Sequence, residues 1–261
     1  SVKGTPYACV TCTDPNLNDV FIIFVRDLVQ RLPAGGPCVD LLIGHVDHWR
    51  DLFAESKTSG LLSLPQVAGL FAELLTLERI LSRDQARRLA VWTGPSKSQH
   101  DFRSAGHALE VKATLAREGH RTSVSRLEQL NAPVSTTLHL SLFKLQIAPD
   151  GDSLPKAVRR IKALGVDPHQ FELLLLRSGY RSGFDDVYGA YTLTVYQEHT
   201  FDVADPTFPK IVPGSFVGGH MPPGVEQISY VIDLAGNVGT ALTQSQVDAV
   251  YDAVAGGATD A

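Results

Sequence analysis

Cysteine is scarce: the chain of 261 residues holds three, Cys9, Cys12 and Cys38. That excludes a disulfide framework and predicts a reduced, cytoplasmic setting. No apolar run is long enough to span a bilayer, and nothing at the N-terminus reads as a signal peptide, so a membrane is not an expected partner. Internal repeats and low-complexity tracts are missing too. There is no excess of positive charge: 23 Lys and Arg stand against 28 Asp and Glu, a net −5. Tight, free-standing nucleic-acid binders usually carry a basic surface, so this balance weighs mildly against one. What remains is ordinary globular material, 44% hydrophobic and 20% charged with mean hydropathy near zero. It suffices for one large domain or two modest ones. The chain begins at Ser1 without a methionine, which predicts a processed or trimmed start.

Cys9-Val10-Thr11-Cys12 matches C-x-x-C. A redox motif wants a helix starting there, but Thr13-Asp14-Pro15-Asn16 follows. A zinc site wants a second pair, and only Cys38 with His45 or His48 is on offer. Buried strand cysteines are the expectation. Basic groups cluster at Arg83, Arg87 and Arg88, at Arg117 and Arg121, and at Lys156, Arg159, Arg160 and Lys162. They read as solvated helix faces or as phosphate contacts.

Apolar spacing predicts helices over 18–32 and 39–53, with His45 and His48 as packing or surface groups. A polar turn at 56–60 marks a candidate boundary. Ser63 and Pro65 open a strong helix with its stripe at Leu64, Val67, Leu70, Phe71, Leu74, Leu77 and Leu81. Strands are expected over 1–13, 122–124, 136–147, 188–201 and 225–234, with 122–124 as a third strand of the core. Further helices are expected over 153–164, 169–178 and 243–254. Asp150-Gly151-Asp152 reads as a turn, and 206–224 as a Pro- and Gly-rich loop.

The densest chemistry lies between. Ser104-Ala105-Gly106 is a turn signal between two short strand-like runs. Glu110 and Lys112 share one strand face, and Val111 points the other way. If the runs pair as a hairpin, Asp101 comes alongside, placing two carboxylates and an ammonium in one space. Carboxylate oxygens are the hard ligands Mg²⁺ prefers. A lysine beside them orients water or neutralises charge on a phosphate. Glu73 sits at the edge of the apolar stripe of its helix.

Helix, strand, turn, strand, with Glu73, then Asp101, then Glu110-x-Lys112, resembles the PD-(D/E)XK nuclease superfamily. The stretches 69–74, Trp92-Thr93-Gly94-Pro95, His100-Asp101-Phe102, 110–114 and 128–130 resemble one branch of it. So do Leu176-Arg177-Ser178-Gly179-Tyr180 and Tyr230-Val231-Ile232-Asp233. That branch is the bacterial "PD-(D/E)XK motif protein" family of unknown function, associated with restriction–modification and phage-defence gene clusters. Departures are His100 where the superfamily name has proline, and Ala72 where glycine often precedes the helix glutamate.

The resemblance implies an α/β protein with a restriction-endonuclease-like core, a mixed sheet flanked by helices, with N- and C-terminal additions. The core is expected at 61–148. Residues 1–60 read as the end of a larger N-terminal region, and 149–261 as a C-terminal α/β segment packed on the core. Asp101 and Glu110 would hold Mg²⁺, with Mn²⁺ substituting. The Val111 carbonyl and Glu73 would complete the set. Lys112 would position water or stabilise the transition state, and Gln129 would steady Lys112 or the phosphate. His100, His107 and His120 are expected as substrate or surface contacts, because hard Mg²⁺ avoids imidazole. The implied activity is a DNA endonuclease or nickase in prokaryotic restriction or phage defence, as a homodimer or with other subunits of such a system. The alternative is a non-catalytic DNA- or partner-binding subunit that keeps the fold.

Overall fold

The computed structural model describes residues 9–32, 39–55, 60–132 and 135–256. In chain order the helices are α1 (Asn18–Arg31), α2 (Val39–Glu55), α3 (Leu64–Arg83), α4 (Leu154–Ala163), α5 (Pro168–Arg177), α6 (Asp185–Gly189) and α7 (Gln244–Gly256). The strands are β1 (Phe102–Ser104), β2 (His107–Thr114), β3 (Arg121–Val124), β4 (Thr137–Asp152), β5 (Leu193–Asp202) and β6 (Tyr230–Asp233). The chain divides into two compact units, one of Ser1–Leu62 with Pro168–Phe184, the other of Ser63–Asp167 with Asp185–Ala261.

The smaller unit packs α1, α2 and α5. Val20, Ile23, Phe24, Trp49 and Leu176 form its core. Asp27 is buried inside it, where its carboxylate accepts the Trp49 indole N–H at 3.0 Å and Arg31 Nε at 3.0 Å. His45 packs on the Phe24 ring, centroids 4.7 Å apart, so it is a core group. The expected strand over 1–13 does not form in its described part: residues 9–13 have no strand, and Cys9 is exposed. Buried strand cysteines are therefore corrected to unpaired surface thiols at Cys9 and Cys12; Cys38 lies outside the described residues.

The larger unit is built on a four-stranded mixed sheet in the order β1-β2-β4-β5. β1 and β2 form the expected hairpin, antiparallel with Phe102 opposite Leu109. Its two turn residues, Ala105 and Gly106, both take positive φ, as tight hairpin turns require. β2 runs parallel to β4, and β5 antiparallel to it. Paired residues share a face. One face therefore carries Ala108, Glu110 and Lys112 of β2, Leu138, Leu140, Leu142 and Lys144 of β4, and Gln197, His199 and Phe201 of β5. The other carries Phe143, over which the Arg79 guanidinium of α3 lies 5.6 Å from the ring centroid. That guanidinium also lies 5.8 Å from the Tyr251 ring of α7.

Four expectations change. Thr122–Val124 is no strand of the main sheet: β3 pairs antiparallel with β6 in a second, two-stranded sheet. Val124 and Ile232 then join Leu138, Leu140, Leu142 and Phe201 in one core cluster, so a ribbon capping the sheet buries its apolar side as well as a central strand would. The 188–201 strand starts only at Leu193, because Asp185–Gly189 is helical. Of 225–234 only Tyr230–Asp233 is strand. Asp150-Gly151-Asp152 belongs to the end of β4, past a register shift between Ile147 and Asp152. A Cβ on Gly151 would stand 2.8 Å from the Leu193 nitrogen, so close backbone approach explains that glycine.

Candidate active site

The site forms where β1 stops short of the length of β2. Asp101 precedes β1, so its carboxylate occupies the place of a missing strand partner. Its Oδ2 accepts the Val111 N–H at 2.8 Å. N–H and C=O of one extended residue leave the chain on the same side. The Val111 carbonyl therefore faces the same open edge as Asp101.

Glu110 and Lys112 stand two residues apart on one face. Lys112 Nζ donates to Glu110 Oε1 at 2.7 Å, and Gln129 Nε2 donates to the same oxygen at 2.9 Å. Gln129 thus steadies Glu110 rather than Lys112. Its own Oε1 accepts the Ser125 N–H at 2.8 Å. Glu73 reaches in from α3, its Oε2 accepting the Trp92 indole N–H at 2.9 Å. The helix entry that sets α3 is a Ser63–Gln66 contact, with Gln66 Oε1 accepting the Ser63 N–H at 2.9 Å. The segment between α3 and β1 is tied down by Asp101 O, which accepts the N–H groups of Thr93 at 2.8 Å and Gly94 at 2.9 Å.

Glu110 is 1% exposed, and its Oε2 has no hydrogen-bond partner. Burial and then the Asp101 charge push its carboxyl up to about 8, against the pull of Lys112. Burial likewise raises Asp101, opposed by Lys112 and the Val111 N–H. Burial and the Asp101 charge raise Glu73 well above the usual carboxylate range. Burial disfavours the Lys112 ammonium, but Glu110, Asp101 and Glu73 together raise it. Three acids around one ammonium leave a deficit of positive charge.

A hard cation would meet that deficit. Glu110 Oε2 has no hydrogen-bond partner, and with the Asp101 carboxylate and the Val111 carbonyl it would offer an oxygen-only set that suits a divalent ion such as Mg²⁺ or Mn²⁺. Among the described residues no three His, Cys, Asp or Glu side chains converge as a complete ligand set. A divalent ion held here would take few protein side chains and complete its shell with water.

His100 is corrected: at 1% exposure it is a core group, and burial, with Arg103 and Arg126, lowers it to about 4. Each basic cluster has a member engaged in an ion pair. Arg83 bonds Asp248 at 2.6 Å, Arg88 bonds Asp84 at 3.0 Å, Arg121 bonds Asp233 at 3.1 Å, and Arg160 bonds Glu78 at 2.8 Å. Sequence reasoning gave no role to Trp92, Gly94 or Arg126. A buried tryptophan wants a partner for its N–H, which was the available signal for Trp92. Exposed Arg126 donates to the Ser98 carbonyl at 3.1 Å, and its charge favours the ionised Asp101 and Glu110.

A mixed sheet flanked by helices, with acids and a lysine at the open edge of a central strand, is a restriction-endonuclease-like arrangement. Residues 1–235 match the family model described as "Putative PD-(D/E)XK family member" (DUF4420), and the chain belongs to that family. No curated protein and no solved structure matches it. No helix among the described residues is long and apolar enough to cross a membrane.

Proposed function

We propose that this protein is a metal-dependent DNA endonuclease or nickase that hydrolyses phosphodiester bonds, with residues 61–148 carrying the chemistry. The observation that carries the reading is the buried, unpartnered Glu110 Oε2 beside Asp101 and Lys112 at an open strand edge. Asp101, Glu110, the Val111 carbonyl and Glu73 would hold Mg²⁺ or Mn²⁺. A bound divalent ion supplies charge for the phosphate and lowers the pKa of a coordinated water. Lys112 holds its proton at neutral pH and directs N–H donors at the attacking water or at charge developing on the phosphate. Gln129 fixes the Glu110 carboxylate, and Trp92 fixes Glu73. We further propose a cytoplasmic role in prokaryotic restriction or phage defence. Cutting both strands with one site per chain needs two copies, hence a homodimer.

The net charge of −5 favours a second reading, a non-catalytic DNA- or partner-binding subunit of a defence complex. The test is cleavage of supercoiled plasmid with Mg²⁺, with Mn²⁺ and with EDTA, for the wild type and for Lys112→Ala. Metal-dependent nicking or linearisation, lost in the variant, is the expected result. Intact plasmid throughout, whether the DNA is modified or not, would favour the second reading.

A further inference from the structure

A second polar cluster lies on the sheet face that bears Glu110 and Lys112. Leu142 pairs with Lys112 on one side and with His199 on the other. His199 therefore stands two strands from Lys112, about 10 Å at ~4.8 Å per strand. His120, just before β3, places its ring 5.5 Å from that of His199. Lys144 and Gln197 are paired on the same face, one step along the sheet.

This cluster is short of partners. His120 Nε2, His199 Nε2 and Gln197 Oε1 are buried without a hydrogen bond. Three unsatisfied side-chain atoms in one place are unusual in a folded protein and mark a site for a ligand or water. Positive charge predominates, with Glu198 pulling on His199 against it. Lys144 is 4% exposed, with Nζ donating to the Arg117 carbonyl at 2.9 Å and lying 5.6 Å from the Tyr196 ring centroid. Among the described residues it forms no ion pair. An ammonium has three donors, so others remain. Glu198 alternates to the opposite face, where Arg79 holds it at 2.5 Å and the Tyr251 hydroxyl at 3.2 Å. Asp233, near His120, is engaged by Arg121. Burial, then His120 and Lys144, hold the His199 imidazole below its ordinary value. That repulsion is what an entering anion would relieve. The Gln197 amide carries N–H donors beside its oxygen and can turn to present them.

We infer that His120, His199, Lys144 and Gln197 form an anion subsite that takes a phosphate of the nucleic-acid backbone flanking the scissile one. The inference rests on the nuclease reading for its ligand. A span of about 10 Å is a few nucleotides' rise at ~3.4 Å each.

Two measurements test it. The first follows histidine ring NMR signals of the wild type during titration with inorganic phosphate. The second is binding of a labelled DNA duplex in EDTA across a salt series, for the wild type, Lys144→Met and the double variant His120→Asn/His199→Asn. Phosphate should move the His120 and His199 signals. Lys144→Met should flatten the slope of log Kd against log salt by about one, and the double variant should weaken binding roughly tenfold. The double variant changes two partly exposed rings, so it keeps the test alive if Lys144→Met fails to fold. Shifted signals with unchanged DNA binding would overturn the backbone assignment in favour of a free phosphate or a phosphorylated small molecule. Unmoved signals and unchanged slopes in a protein that still cleaves plasmid would overturn the subsite and leave the nuclease reading standing. Phosphate-induced shifts in a protein that neither binds nor cuts DNA would sink the nuclease reading, and the backbone assignment with it.

Discussion

The indole N–H of Trp92 donates to Glu73 Oε2 at 2.9 Å, and Trp92 is 1% exposed. A buried indole with its one donor aimed at a carboxylate fixes that carboxylate's rotamer. Trp92→Phe fills most of the space and deletes the bond. We expect a stability loss of about 1–2 kcal/mol, read by chemical denaturation. Metal-dependent cleavage should fall roughly tenfold with little change in KM. Unchanged kcat would place Glu73 outside the chemistry.

Gly94 lies against the same Glu73 and against Asp101. A Cβ there would lie 3.0 Å from Asp101 Oδ1 and 3.3 Å from Glu73 Oε2. Gly94→Ala should push the two carboxylates off position and cut cleavage at least tenfold. The helices should hold, because the strain is confined to the loop. Circular dichroism beside a plasmid assay checks both halves, and full activity would show the cluster to be more pliant than its packing suggests.

The acidic cluster makes metal binding and pH interdependent. The Glu110 carboxyl, pushed up to about 8 by burial and Asp101, is protonated in the folded chain where the unfolded chain is ionised. A raised carboxyl binds an extra proton in the folded state, so its contribution destabilises as pH rises from the ordinary carboxylate range through about 8. Glu110→Gln should therefore raise the Tm of the metal-free protein near pH 8. Wild-type protein should gain Tm from Mg²⁺ or Mn²⁺, more at pH 8 than at pH 6, and the variant should gain little. Equal metal-induced shifts in both proteins would remove Glu110 from the ligand set.

Asp84 carries the opposite sign. Burial raises its carboxyl, but the Arg88 side chain and the N–H groups of Arg88 and Ala86 outweigh it and leave it lowered. Its stabilisation is full above the unfolded value, ~3.9, and fades as pH falls through the lowered folded one. Asp84→Asn should cost about 2 kcal/mol at pH 7 and converge on the wild type in acid. Urea midpoints at pH 7 and pH 3 measure the difference, and parallel losses at both would rule out the charge as cause.

The β1–β2 hairpin was legible because a tight turn and strand alternation are local signals, and the convergence of Asp101, Glu110 and Lys112 follows from them. Glu73 was legible from its place beside the apolar stripe of α3. What pairs with what was less so. Thr122–Val124 alternates equally well as an inner strand or as half of a capping ribbon, and only its contact with Ile232 decides. Asp150-Gly151-Asp152 has turn composition, yet the glycine serves a close pass of Leu193. The His120–His199 meeting joins residues 79 positions apart in the sequence and has no local signature.

The path of the chain through the smaller unit limits how this protein can be cut down. Its third helix, α5, comes from the middle of the sequence, and Leu176 shares a core with Val20, Ile23, Phe24 and Trp49. A truncation that begins at Ser63 leaves α5 behind with that apolar side bare, a sticky surface. A minimal version has to lose residues 168–184 together with the first 62, with α4 rejoined to α6 by a new linker. The excised helices then become a second product whose two pieces must find each other, so neither half of the molecule can be made by choosing a single breakpoint.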